Sequence, residues 1–102
     1  RQMTTNSLPG GQDLTQFGIP LFAEVAFDGQ GFGLGFSVLQ DPIAANVMSA
    51  KGEYAWGGAA STAFWVDPAE QITCIFMTQL LPSSTYPIRT QLRQLVYSAL
   101  VD

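Results

Sequence analysis

The chain has 102 residues, of which four are basic and eight acidic, giving a net charge of −4 at pH 7. At most one domain fits this length. The scarcity of Lys and Arg argues against nucleic acid or an anionic membrane surface as a partner, and no apolar run approaches the roughly 18 residues that span a bilayer. The charged share of 12% is about half the usual value, which predicts that the chain buries part of its surface against a partner.

The first 30 residues are predicted to hold the end of a helix and a long connection. Residues 1–8 favour the helix end, and Pro9-Gly10-Gly11 supplies its stop signal. Scattered Gly, Pro and Asp residues predict an irregular connection up to residue 30, with a short strand over 22–25.

Residues 31–80 are predicted to form antiparallel strands. Large apolar side chains alternate with smaller residues over 31–40, and this period of two predicts one strand, followed by a loop over 43–51. Strands over 53–56 and 60–66 meet at a glycine-rich bend, and residues 67–71 favour a hairpin connection to a strand over 72–80. The last strand is apolar on both faces, which predicts burial on both sides.

Residues 85–101 are predicted to form a C-terminal helix, with Pro87 in its first turn and Ser84 or Thr85 near the cap. Arg89 and Arg93 lie outside its apolar stripe. The predicted fold class is α+β, in which an antiparallel sheet of three to four strands carries this helix on one face. The apolar stripe consists of Ile88, Leu92, Leu95, Val96, Ala99 and Leu100.

The chain has one cysteine, Cys74, and no histidine. An intrachain disulfide, a structural zinc site and a Ser-His-Asp arrangement within these residues are therefore excluded. Cys74 lies in an apolar run and is predicted to be a buried core thiol. No cofactor and no metal are predicted.

Two further patterns have a functional and a structural interpretation. Gly31, Gly33 and Gly35 superficially suggest a phosphate loop, but no helix follows them, so close approach of a neighbouring segment is the favoured explanation. Glu53 and Asp67 are a conceivable carboxylate pair. Because both flank turns at strand ends, the favoured interpretation is that they are solvated.

Trp56-Gly57-Gly58 has the composition of a substrate-contacting strand end. Two glycines leave backbone N–H groups unshielded, and such donors can hold a developing oxyanion in acyl transfer. Trp56 adds an aromatic wall suited to an acyl or ring group. The alternative is a bulge or tight bend in an ordinary sheet.

Several motifs in order resemble the C-terminal region of the class C β-lactamases, penicillin-binding-protein-like serine hydrolases and, most closely, family VIII carboxylesterases. The resemblance covers nearly the whole chain. It is carried by Gly31-Phe-Gly-Leu-Gly-Phe36, Trp56-Gly-Gly-Ala-Ala-Ser-Thr62, Phe64-Trp-Val-Asp-Pro68, Phe76-Met-Thr-Gln79 and Arg93-Gln-Leu-Val-Tyr97.

The resemblance implies a part of the β-lactamase/transpeptidase-like fold and a small ester as substrate. Trp56-Gly57-Gly58 stands where the β-lactamases carry Lys-Thr-Gly, which favours ester hydrolysis over β-lactam turnover. The backbone N–H of Ala59 is implied as one oxyanion-hole donor, and Trp56, Gly57 and Gly58 as substrate-binding residues. The family's Ser-x-x-Lys nucleophile motif and its base Tyr have no counterpart in this sequence.

Two functions follow as hypotheses. In the first, the chain is the C-terminal segment of a serine ester hydrolase, and its partner is the N-terminal portion of the same hydrolase. In the second, it is a non-catalytic truncated homologue that acts as a binding module or assembles into a homo-oligomer.

Overall fold

A computed structural model describes residues 1–16 and 28–101. Within these residues five strands form one antiparallel sheet in the order β1-β2-β3-β4-β5. A short helix α1 joins β2 to β3, and a helix α2 follows β5. The elements are β1 (Gln30–Phe32), β2 (Ser37–Leu39), α1 (Pro42–Ala45), β3 (Tyr54–Gly57), β4 (Ala63–Asp67), β5 (Ile72–Phe76) and α2 (Ile88–Ser98). The α+β class and the C-terminal helix are confirmed, but the predicted count of three to four strands is wrong.

The additional strand arises because residues 31–40 form a hairpin instead of one strand. The Gly33 N–H donates to the Phe36 carbonyl over 2.9 Å, and Gly35 has a φ of +107°, which only glycine adopts readily. Alternation with a period of two continues through this turn, so periodicity alone could not locate it. The expected close approach is confirmed at Gly33, where a Cβ atom would overlap the Met3 carbonyl.

The N-terminal residues form short 3₁₀ helices instead of the predicted α-helix end. These are Gln2–Thr4, Pro9–Gly11 and Leu14–Gln16. The segment is tied to the edge of β1, because the Ser7 N–H donates to the Phe32 carbonyl over 2.8 Å. The strand predicted over 22–25 lies outside the described residues.

In the second half, the predicted elements are present with shifted ends. The hairpin over 67–71 is confirmed, with the Asp67 carboxylate accepting from the Ala69 and Glu70 N–H groups. The predicted loop over 43–51 contains α1, whose first turn is capped by Asp41. Residues 83–85 form a separate 3₁₀ helix, and α2 begins at Ile88 without a side-chain cap. The predicted Ser or Thr cap is therefore wrong.

The two faces of the sheet differ in cover. Trp65 of β4 pairs with Ala55 and Cys74, and its ring stacks on Tyr97 of α2 at 6.4 Å. Directly opposed residues share a face, so Trp56, Phe64 and Ile75 lie on the other side. We call Trp56, Phe64, Ile75 and Met77 the outer face.

The outer face contradicts the prediction that the last strand is buried on both sides. Ile75 is 68% exposed and Met77 is 78% exposed. Helix α2 covers only the Trp65 face, so every second side chain of β5 is left towards solvent. Cys74, predicted to be buried, is half-buried on the α2 side.

The face that helix α2 presents to the sheet coincides only in part with the predicted one, since Ile88, Leu92 and Val96 are half-buried. Arg89, Arg93 and Tyr97 follow each other at four-residue intervals, which places them on one side of a helix, and all three contact the sheet or its connecting loops. Leu95 and Leu100 of the predicted apolar stripe are exposed. The sequence pattern misassigned part of this face because the inward positions carry polar side chains that are paired with buried polar groups.

Candidate active site: the turn after strand β3

The turn that follows β3 is closed by its own backbone. The Gly58 N–H donates to the Thr62 carbonyl over 3.0 Å, and the Ser61 N–H donates to the Gly58 carbonyl over 3.2 Å. Ser61 has a φ of +72°, a left-handed conformation that is uncommon for residues other than glycine. Residues 58–62 therefore form a tight, specific turn.

The segment after β5 holds this turn from the side. The buried Ser61 hydroxyl donates to the Leu80 carbonyl over 2.6 Å, and the Leu80 N–H donates to the Ala60 carbonyl over 3.0 Å. These two bonds close a bridge between the turn and the chain beyond the sheet. They stabilise the left-handed Ser61, whose conformation would otherwise cost free energy.

The four predicted site residues lie together along the end of β3 and the start of the turn. Trp56 is 48% exposed, and its ring meets the Phe32 ring edge to face at a centroid distance of 5.5 Å. Gly57 and Gly58 are half-buried, and Ala59 is exposed. Among the residues that the structure describes, none accepts a hydrogen bond from the Ala59 N–H.

Arg89 of α2 reaches the same turn from the interior. Its Nη2 group donates to the Gly58 carbonyl over 2.7 Å and to the Thr62 carbonyl over 2.8 Å. A Cβ atom on Gly57 would lie 2.7 Å from the Arg89 guanidinium carbon. The first glycine of the Trp-Gly-Gly motif thus provides the space that the guanidinium occupies.

A second constellation, which we call the polar cluster, lies between the sheet and α2. Glu53 and Asp67 are 4% and 0% exposed, so the expectation that solvent explains these carboxylates is wrong. They are buried because α2 covers them and supplies partners. The cluster consists of Ser49, Glu53, Asp67, Arg93 and Tyr97.

Hydrogen bonds join the cluster into a chain. Ser49 contacts the Glu53 carboxylate and lies 2.8 Å from the Tyr97 hydroxyl, which donates to Asp67 Oδ2 over 2.8 Å. These three contacts need three protons, and the two hydroxyls supply only two. The Ser49 hydroxyl therefore donates to one of its two neighbours at a time.

Burial shifts the pKa values of two groups in the cluster. Burial raises the pKa of Glu53, and the nearby charge of Arg93 only partly opposes that rise. Burial likewise raises the pKa of Tyr97 to about 12, with a hydrogen bond from Ser49 acting against it. Arg93 donates to Glu53 over 2.6 Å, and its guanidinium lies over the Trp65 ring at 5.0 Å. The guanidinium therefore contacts both a carboxylate and an aromatic face.

The sequence reasoning identified the residues of β3 but not those that support them. Arg89 was assigned to an outward position, and Ser49 and Tyr97 were not singled out as polar partners. The sequence did carry a signal for Tyr97. A tyrosine on the inward side of a helix has a hydroxyl that needs a hydrogen-bond partner once it is buried. No sequence pattern pointed to Ser49.

Neither a metal-binding cluster nor a membrane-spanning helix is found among residues 1–16 and 28–101. No group of three His, Cys, Asp or Glu side chains in 1–16 and 28–101 is arranged to hold a metal ion. Over the same residues, no helix has the length and hydropathy needed to cross a bilayer.

Comparison with known proteins shows a likeness to a hydrolase. No protein-family model and no curated protein matches the chain. Among solved structures, it is similar to EstCE1, a hydrolase with promiscuous acyltransferase activity, with a TM-score of 0.63 and 30% sequence identity. The likeness covers 68% of this chain and 18% of EstCE1, so the chain spans less than a fifth of that hydrolase. The chain is thus similar in sequence and fold to a fragment of a hydrolase, and the resemblance to class C β-lactamases rests on the sequence motifs alone.

Proposed function

We propose that the chain forms one wall of the active site of a serine ester hydrolase of the carboxylesterase type. In this proposal the Ala59 N–H is one of two donors that hold the oxyanion. Trp56, Gly57 and Gly58 line the substrate site. The observation that carries the proposal is the N–H of the exposed residue Ala59, which has no acceptor among the described residues, in a chain of which 68% is similar to part of a hydrolase.

The chemistry needs such a donor at the moment of attack. A serine oxygen adds to the ester carbonyl carbon, and the carbonyl electron pair moves onto oxygen, which becomes negatively charged. A fixed backbone N–H stabilises that charge without first turning towards it. The closed turn over 58–62 is suited to this task because its hydrogen bonds leave the Ala59 N–H little freedom.

The substrate side of the site is apolar. The half-exposed Trp56 indole, backed by Phe32, offers a flat surface for the acyl group of a small ester. The sequence holds no Ser-x-x-Lys motif, so the nucleophile in this proposal is supplied by the N-terminal portion of the hydrolase, outside these 102 residues.

The proposal is tested on the particle that contains this chain in its source. Native and denatured masses establish whether a second polypeptide accompanies it, and p-nitrophenyl butyrate hydrolysis establishes activity. We expect a larger companion polypeptide, ester turnover, and a serine in the companion that reacts with a fluorophosphonate. A chain that is alone or only self-associated, without turnover, would contradict the proposal.

The exposed outer face favours a second candidate, a non-catalytic binding or self-assembly module. Exposed apolar surface marks interaction sites, and Ile75 and Met77 provide it here. A homo-oligomer without ester turnover would support this candidate, whereas a monomer that exposes no apolar patch in solution would contradict it.

A further inference from the structure

We propose that Arg89 is a positioning residue that orients and polarises the peptide group whose N–H points into the candidate oxyanion site. This inference rests on the proposed function for its catalytic meaning, while its structural content can be tested without activity. Arg89 touches no reacting atom in this account and acts through the Gly58–Ala59 peptide.

One peptide group carries both the Arg89 contact and the proposed oxyanion donor. The Gly58 carbonyl, which accepts from Arg89 over 2.7 Å, is bonded to the Ala59 nitrogen. This peptide is trans, and a planar trans peptide directs its C=O and N–H in opposite directions. Because the oxygen is held on the α2 side, the Ala59 N–H must point away from α2.

Two hydrogen bonds to the Gly58 carbonyl strengthen the Ala59 N–H as a donor. The Gly58 oxygen accepts from the Ser61 N–H as well as from the cationic Arg89. Hydrogen bonds to a carbonyl draw electron density from the whole peptide, and this makes its N–H a better donor. A charged donor has a larger effect than a neutral one. The Ala59 N–H is thereby polarised towards an incoming negative charge.

The Arg89 guanidinium holds the turn over 58–62 at both ends. Arg89 also donates to the Thr62 carbonyl, which accepts from the Gly58 N–H. One guanidinium therefore fixes the first and the last residue of the turn relative to α2. Tilting of the Gly58–Ala59 peptide would break a charge-assisted bond at one end or the other.

The glycine at position 57 agrees with this role. A Cβ atom there would lie 2.7 Å from both the guanidinium carbon and Nη2 of Arg89, too close for the arginine to keep its place. The motif glycine is thus needed for the approach of Arg89 as well as for the access of substrate.

The sequence allows this peptide to be observed by itself. Gly58-Ala59 is the sole Gly-Ala dipeptide in the chain, so labelling glycine carbonyls with ¹³C and alanine nitrogens with ¹⁵N gives a single carbonyl–amide cross-peak. That peak reports the hydrogen bonding of the Gly58 carbonyl and the environment of the Ala59 N–H. Its heteronuclear NOE reports the mobility of the same peptide on the picosecond to nanosecond timescale.

We would record this peak for the 102-residue chain and for Arg89→Met, with Gln91→Met as the control. Gln91 is exposed on the same helix, so the control introduces the same side chain without touching the turn. We expect Arg89→Met to move the Gly58 carbonyl resonance upfield and to lower the NOE, while the control leaves both unchanged. An Arg89→Met spectrum that is folded and has an unshifted peak would overturn the inference.

Arg89→Lys keeps the experiment decisive if the methionine variant does not fold. Lysine retains the charge but lacks the planar fork, so the peak should move in the same direction by a smaller amount. If the Arg89→Lys chain folds and its Gly58–Ala59 peak does not move, the inference is also overturned.

A kinetic measurement separates this inference from the proposed function. In the hydrolase that contains the chain, Arg89→Met should lower kcat for p-nitrophenyl butyrate roughly ten- to a hundredfold, with KM little changed, and free guanidinium should restore part of it. If the wild-type particle cleaves esters and Arg89→Met keeps its kcat, positioning is overturned and the function stands. If the wild-type particle cleaves none, the proposed function fails, and the cross-peak alone decides the role of Arg89.

Discussion

Two arginines one turn apart on the same helix perform different tasks. Arg89 donates to backbone carbonyls of the turn after β3, whereas Arg93 pairs with the Glu53 carboxylate inside the polar cluster. The first cation acts on the direction of a peptide group. The second compensates buried negative charge and lies against the Trp65 ring.

The difference shows how one helix can serve both stability and a site. Arg93 is largely buried and pairs with the buried Glu53 carboxylate, so its removal should mainly affect the free energy of unfolding. Arg89 contacts groups that already hydrogen-bond to each other within the turn, so its removal should mainly affect geometry. Four variants test how stability and geometry are divided among these residues, in order of decreasing effect on stability.

Arg93→Met should have the largest effect, lowering the free energy of unfolding by about 3–5 kcal/mol, because it leaves buried carboxylates without a cation. Urea unfolding at pH 7 measures this loss. Arg93→Lys, which keeps the charge, should lose less. If the Arg93→Met chain still folds, its Gly58–Ala59 cross-peak should stay in place. A stability loss below about 1 kcal/mol would show that the cluster does not need the cation.

Tyr97→Phe should lower the free energy of unfolding by about 1–3 kcal/mol at pH 7, because the hydroxyl links Ser49 to Asp67 inside the protein. The Tyr97 pKa is raised from 10 to about 12 in the fold. The protonated hydroxyl therefore contributes fully below pH 10, and that contribution is lost as the pH rises through about 12.

Urea unfolding of wild type and Tyr97→Phe at pH 7 and at about pH 11 checks this sign. The difference between the two chains should narrow at the higher pH. A difference that widens with pH would mean that the folded protein favours the ionised phenol.

Gly57→Ala should cost about 1 kcal/mol, at the low end for an overpacked site, because the guanidinium that it displaces is the flexible end of a side chain. Its effect on geometry should be larger. The Gly58–Ala59 cross-peak should move in the same direction as in Arg89→Met, and ester turnover by the hydrolase should fall in parallel. If Gly57→Ala leaves the peak unchanged, the glycine serves another purpose than access for Arg89.

Ile75→Thr with Met77→Thr should have the smallest effect, within about 0.5 kcal/mol, because both side chains are exposed. The same pair should weaken whatever association covers the outer face. Sedimentation of the wild-type and variant particles measures this change. A large loss of stability in an isolated, monomeric chain would show that the outer face is packed within the chain itself.

The sequence predicted the elements whose signal is local. The β3 and β4 strands, the hairpin over 67–71 and the C-terminal helix each follow from turn residues and periodicity, and the structure contains all of them. The hairpin within 31–40 was missed because its turn preserves the alternation of large and small side chains. The φ of Gly35 and the hydrogen bond from Gly33 to Phe36 distinguish that turn from a continuous strand.

The polar contacts could not be read from the sequence because they join distant residues. Glu53 and Arg93 are 40 positions apart, Ser49 and Tyr97 are 48 apart, and Asp67 and Tyr97 are 30 apart. A carboxylate at a strand end is usually solvated, and only the cover supplied by α2 makes Glu53 and Asp67 buried. In the same way, Arg89 can be recognised as a support for Gly58 only after helix and turn are brought together.

The most direct test is to observe the Ala59 amide in the hydrolase with only residues 1–102 isotopically labelled, so that Gly58-Ala59 gives a single Gly-Ala cross-peak. A phosphonate that reacts with the active-site serine leaves a negatively charged oxygen where the oxyanion would form. We expect the Ala59 amide proton then to move downfield, because it donates to that oxygen. If the serine reacts and the Ala59 resonance does not move, this N–H is not an oxyanion donor, and the role proposed for the turn after β3 is wrong.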